Sequence, residues 1–179
     1  MRQTLFLFAI AAFFLILVGA AAYYVWRART APKRAWMKLL GRLKQLDGDK
    51  FTTVALDLLE ERDEQQQLDP ELIFDMIGGM NGLDALEQNC DVLIELAAYV
   101  QRWYPEALEL AEELRLNARE IRWHLSRLRG ASGTGHLREQ FPMYAQRAVA
   151  TYYLMTRSLL VLYEGVRLPE YADLQQALS

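Results

Sequence analysis

Two histidines, one cysteine and one glycine-rich stretch are the residues of this 179-residue chain from which site chemistry could be built. Glu120 and His124 lie four apart, a spacing that sets two side chains on one helix face, where they could act as an acid–base pair or as two metal ligands. A di-iron carboxylate bundle needs a Glu-x-x-His pair on each of two helices, and here the spacing differs and the pair occurs once. An ordinary i,i+4 surface contact is the simpler expectation. Cys90 has no basic sequence neighbour to hold it as a thiolate, so it reads as a small buried apolar side chain in a helix. The stretch from Gly130 to His136 places Gly130 and Gly135 at the spacing of a phosphate-cradling loop. His136-Leu137 stands where Lys followed by Ser or Thr is required, and a helix rather than a strand comes before it. A mobile helix–helix connection is expected there instead. No catalytic, cofactor-binding or metal site is expected from these residues by their spacing alone.

A second constellation is electrostatic. Arg115, Arg119, Arg122 and Arg129 recur along one face of a single helical stretch, with Trp123 and His124 beside them and Arg127 nearby. Like charges three and four apart repel, so such a stripe calls for a counter-surface. Three are available in principle: acids within the chain, such as Asp57, Glu60, Glu61 and Glu64; a partner protein; or a polyanion. Arg115, Arg119, Arg122, Trp123 and Arg129 are the candidate partner-binding residues. Nucleic acid is not expected as a partner, because the sequence pI is about 5.5 and one long block is strongly acidic.

The charge is segregated along the chain. Residues 27–44 carry seven bases and no acid, and residues 45–113 carry eighteen acids against Lys50, Arg62 and Arg102. Residues 114–157 carry eight arginines against Glu120 and Glu139. The middle and C-terminal blocks are expected to face each other, within the fold or between copies, and the first block to face lipid.

Lipid enters because Leu5 to Trp26 is an unbroken charge-free run, long enough to cross a bilayer core of about 30 Å as one helix. Tyr23, Tyr24 and Trp26 suit the headgroup level, and Arg27, Arg29, Lys33 and Arg34 follow in water. The positive flank after the run is the larger, which directs the N-terminus outside and the rest of the chain into the cytoplasm. A cleaved signal peptide is the rival reading, with Gly19-Ala20-Ala21-Ala22 as its small-residue site. Against it, the apolar run continues past that point and a basic stretch follows.

The elements that must position these residues are helices, because periodicity after residue 32 is helical and no alternating strand pattern occurs. The expected fold is all-α: one N-terminal transmembrane helix followed by a multi-helix bundle of six or seven helices. It divides into a tail at 1–4, an anchor at 5–26, a basic juxtamembrane amphipathic helix at 27–46 and a cytoplasmic bundle at 47–179. Pro32 opens the juxtamembrane helix, with Trp36, Leu39, Leu40 and Leu43 on its apolar face. Asp47-Gly48-Asp49 is a turn before a helix bearing Phe51, Val54, Ala55 and Leu58. Asp69-Pro70 starts a short helix that Gly78-Gly79 stops, and Asn81 caps the next. From Pro105 to Arg129 the positions Ala107, Ala111, Leu114, Ala118, Ile121, Leu125 and Leu128 alternate steps of four and three, a thin seam suited to an antiparallel bundle. Phe141-Pro142 begins the richest helix, expected at the centre of the core. Gly165 ends it, and Pro169 opens a last short helix.

Two functions suit this design. The favoured one is a single-pass membrane protein presenting a helical docking or scaffold surface, its partners the lipid bilayer and either another protein or a second copy. The other is a membrane-anchored enzyme or ligand-binding domain with a pocket near Glu120, His124, Tyr144, Tyr152 and Tyr153.

Overall fold

In the computed structural model the described residues are 35–60, 68–101, 104–105 and 107–178. The charge-free run with Tyr23, Tyr24 and Trp26, and the basic residues Arg27, Arg29, Lys33 and Arg34, lie outside them. No helix among the described residues is long and apolar enough to cross a membrane. The chain forms two compact units, Met1–Lys38 and Leu39–Ser179. The regular structure among the described residues is all helical, seven helices and no strand.

The first described helix, α1 (35–40), is shorter than its sequence suggests. Gly41 ends it, Arg42 and Leu43 donate to the carbonyls three residues back, and residues 43–47 run without regular structure instead of continuing as helix to Leu46. The reason is tertiary. The side chain of Asn89 grips this segment, accepting from the Lys44 amide at 2.7 Å and donating to the Lys44 carbonyl at 2.9 Å. A helix could not offer both groups to one side chain, since its interior amides and carbonyls are paired within it. Arg42, assigned to the lipid-facing block, instead forks onto Glu95 at 2.5 and 2.8 Å.

Helix α2 (Gly48–Leu59) starts at its cap, Asp47, whose carboxylate accepts from the Lys50 amide, so the expected turn is the helix's first turn. Helix α3 (Pro70–Ile77) follows Asp69 as cap and Pro70 as first residue, as the sequence indicates. Gly78, at φ 78° and ψ 30°, both ends α3 and precedes α4 (Gly79–Val100). Helix α4 therefore begins before Asn81, which is not its cap. Gly82 lies against the last residue of α3: a Cβ there would lie 1.7 Å from the Ile77 carbonyl oxygen.

Helix α5 (Ala107–Thr134) bears out the seam. All seven residues of the repeat, from Ala107 to Leu128, have no exposed surface. The helix also runs past Arg129, so Gly130 to Thr134 are helical rather than a flexible linker. Only Gly135 and His136 connect onward. Gly135, at φ 80°, lets the His136 amide reach back to the Ala131 carbonyl at 3.2 Å, closing the helix end. That reversal starts α6 (Leu137–Gly165) at once, leaving Pro142 inside the helix rather than at its first position. Near an N-terminus the missing amide costs one bond to the Arg138 carbonyl and no more of the ladder.

Helix α6 is the centre of the bundle, packing on α2, α3, α4, α5 and the last helix, α7 (Tyr171–Leu178). Its inner face includes Phe141, Ala145, Val149, Met155, Leu159 and Tyr163, all buried. Each large aliphatic side chain so buried contributes about 1.5–3 kcal/mol. The Tyr163 hydroxyl donates to the Leu96 carbonyl of α4 at 3.0 Å, giving the one polar atom of a fully buried side chain its partner. The chain leaves α6 through Arg167, which takes a positive φ of 53°, with its amide on the Glu164 carbonyl and the Leu168 amide on the Tyr163 carbonyl.

Candidate functional site

The arginine stripe meets its counter-charge on α4, which packs along α5. Arg122 reaches Asp91 at 2.5 Å and Glu87 at 3.7 Å, and Arg129 reaches both Asp84 and Glu87 at 2.6 Å. The hydrogen bonds to Glu87 and Asp84 push the Arg129 pKa up from its ordinary value. Arg115 pairs with Glu112 one turn back on its own helix. The acidic and basic blocks thus face each other within the fold, through α4 acids and not through Asp57. Each such half-exposed pair contributes about 0.2–1 kcal/mol.

Asp57 does something else. It is buried on the inner side of α2, where its carboxylate accepts from the Leu68 amide at 3.1 Å and from Gln146 Nε2 of α6 at 2.8 Å. It fixes the entry to α3 and is not a surface charge. Glu61 and Glu64 lie outside the described residues.

The remaining stripe residues point away from α4. Arg119 is exposed and forms no ion pair among the described residues, and Trp123 keeps 48% of its surface in solvent. The Arg127 guanidinium lies over the Trp123 ring at 5.1 Å, a cation–π contact. Trp123 in turn meets Tyr144 of α6 edge-on, with ring centroids 5.9 Å apart. The stripe is therefore split: Arg122 and Arg129 bind α4, while Arg119, Trp123 and Arg127 face outward.

His124 lies beneath this aromatic contact, 2% exposed, with its ring centroid 5.7 Å from that of Tyr144. Its Nε2 is 3.5 Å from Glu120 Oε1, and neither ring nitrogen has a hydrogen-bond partner. The expected surface contact is thus half buried: Glu120 keeps 55% of its side chain in solvent while the imidazole does not. Burial holds the His124 pKa below its ordinary value; Glu120 opposes this and Arg147 reinforces it. A neutral imidazole with one exposed carboxylate is not a ligand set, and no cluster of three metal-ligating side chains occurs among the described residues. Cys90 is buried as expected, and burial pushes its thiol up to about 12.

The residues expected to line a pocket are divided. Tyr152 and Tyr153 border a crevice of about 40 Å³ beside Asn89, with the Tyr152 hydroxyl accepting from Asn89 at 3.3 Å. Tyr144 and His124 belong to the aromatic contact two turns away on α6 and α5. A wider open cleft, about 580 Å³, lies between α3 and the start of α6 over the Phe74–Phe141 contact. The pair of buried polar anchors, Asn89 and Asp57, escaped sequence reading. Their signal was spacing: Asn89 falls three after Leu86 and four before Leu93, and Asp57 falls three after Val54, both on apolar faces.

Comparison of the chain with protein-family models, curated proteins and solved structures finds no match.

Proposed function

We propose that this chain is a single-pass membrane protein, its N-terminus outside and its bundle in the cytoplasm, that presents the bundle as a docking surface for a protein partner. The charge-free run from Leu5 to Trp26 and the basic flank behind it support the anchor and its orientation. The docking role rests on one observation above all: Trp123 stands half exposed under Arg127, next to an Arg119 that forms no ion pair among the described residues. Tryptophan and arginine together are the side chains that dominate binding hot spots, and here Trp123 packs on the His124 ring on one side while 48% of its surface stays in solvent.

The test is a double substitution that spares the α4 pairs. Arg119→Glu with Trp123→Ala leaves Arg122 and Arg129 on their acids, so the bundle should stay folded. The variant should lose proteins that co-purify with the wild type from membranes, and an unchanged set would refute the docking role.

A further inference from the structure

The central helix carries a second seven-residue repeat, on the side opposite its core. Met143, Arg147, Ala150, Leu154, Arg157 and Val161 follow steps of four, three, four, three and four along α6. Met143 and Leu154 are each 47% exposed and Val161 is 64% exposed, and both arginines are exposed. Ala150, within the repeat, is buried at 4% exposure. With the other five positions exposed, a 3,4 spacing kept this long has the form of a helix-packing seam that lacks its second helix. Its length, at about 1.5 Å per residue, is about 27 Å.

Its charge selects the occupant. Between Glu139 and Glu164 the helix holds no acid, and Arg147 and Arg157 form no ion pair among the described residues; Arg157 only leans over Tyr153 at 6.0 Å. Two copies of this chain paired antiparallel here would oppose Arg147 to Arg157 of the second copy, because both lie five residues from Tyr152. A flat anionic bilayer on this side would also meet Glu120 of the neighbouring α5, whose side chain is 55% exposed. A single helix with acids flanking an apolar stripe can follow α6 alone, clear of Glu120, and meets neither obstacle.

Resting on the docking reading above, we propose that the outward stripe of α6, with Trp123 beside it, binds an acidic amphipathic helix of a partner protein. Arg147 and Arg157 face acids flanking the partner's apolar positions, while Met143, Leu154 and Val161 pack between them. The interaction is helix against helix and needs no opening of the bundle.

The experiment uses the full chain in zwitterionic nanodiscs with Ser158→Cys labelled by an environment-sensitive dye; buried Cys90 does not compete for the label. The probes are a synthetic helix with leucines at 3,4 spacing flanked by glutamates, its lysine-flanked twin, and phosphatidylserine vesicles. Saturable binding of the glutamate helix is expected, weakened about thirtyfold by Arg147→Glu with Arg157→Glu, which should in exchange favour the lysine helix. Binding indifferent to that charge reversal, no binding of the glutamate helix, or binding of vesicles alone would overturn the proposal. The double variant also separates the two readings: if a natural partner stays bound to it but leaves Arg119→Glu/Trp123→Ala, docking stands and the α6 stripe falls.

Discussion

Asn89 is the most consequential polar residue in the bundle, and replacing it by alanine should show why. The side chain is 2% exposed and makes two bonds to the Lys44 backbone, at 2.7 and 2.9 Å, and one to the Tyr152 hydroxyl at 3.3 Å. Truncation strands the Lys44 amide and carbonyl and empties the volume of an amide. A buried group left unpaired costs about 1–3 kcal/mol, but Lys44 lies near solvent and water can recover part of this. The net expectation is about 2–3 kcal/mol. At roughly 3 °C per kcal/mol for a domain this size, the melting temperature should fall by about 6–9 °C. Hydrogen exchange sharpens the assay, because the Lys44 amide should be protected in the wild type and exchange freely in Asn89→Ala. Asn89→Asp should be at least as damaging, since it keeps the acceptor for the amide but sets a second acceptor against the Lys44 carbonyl. Tyr152→Phe removes only the longest of the three bonds and should cost less than about 1 kcal/mol. A stable Asn89→Ala whose Lys44 amide stays protected would refute the clasp.

Four further outcomes follow from other parts of the fold. Gly82→Ala puts a methyl 1.7 Å from the Ile77 carbonyl oxygen and should destabilise by about 3 kcal/mol or more, measured by urea unfolding. Arg167→Gly should stabilise by about 1 kcal/mol, because it relieves a left-handed residue at the end of α6 that glycine tolerates. The folded-state pKa of His124 is lowered, so the unfolded chain binds the proton more readily; stability is full above about pH 6.5 and is lost as pH falls below it. The difference in urea midpoint between pH 7.5 and pH 5.5 should therefore shrink in His124→Leu. Alkylation of Cys90 at pH 8 should be roughly a thousandfold slower in the native protein than in urea.

Much of this architecture was legible from spacing alone. The seam from Ala107 to Leu128, the central place of α6 and the Asp69-Pro70 start depend on local periodicity or capping, which sequence expresses directly. Where the reading fell short, a distant contact decided. Gly130 to Thr134 looks like a linker, yet it stays helical, with Ala131 at 4% exposure. Leu43 to Leu46 looks helical, yet Asn89 holds the chain open there. The arginine stripe was legible as a feature, whereas its division was not. Which arginines face α4 depends on how α4 and α5 cross, and no local rule carries that angle.

Membrane anchoring with the bundle inside is the claim on which the docking account stands, and topology tests it most directly. Reporters active only inside or only outside the cell are fused after Ser179, and the membrane fraction is washed at alkaline pH while the N-terminus is sequenced. The account requires a chain with residues 1–26 retained, resistant to the wash, and an active inside reporter. An active outside reporter, or a chain beginning near residue 22, would contradict it and move any partner to the other side of the membrane.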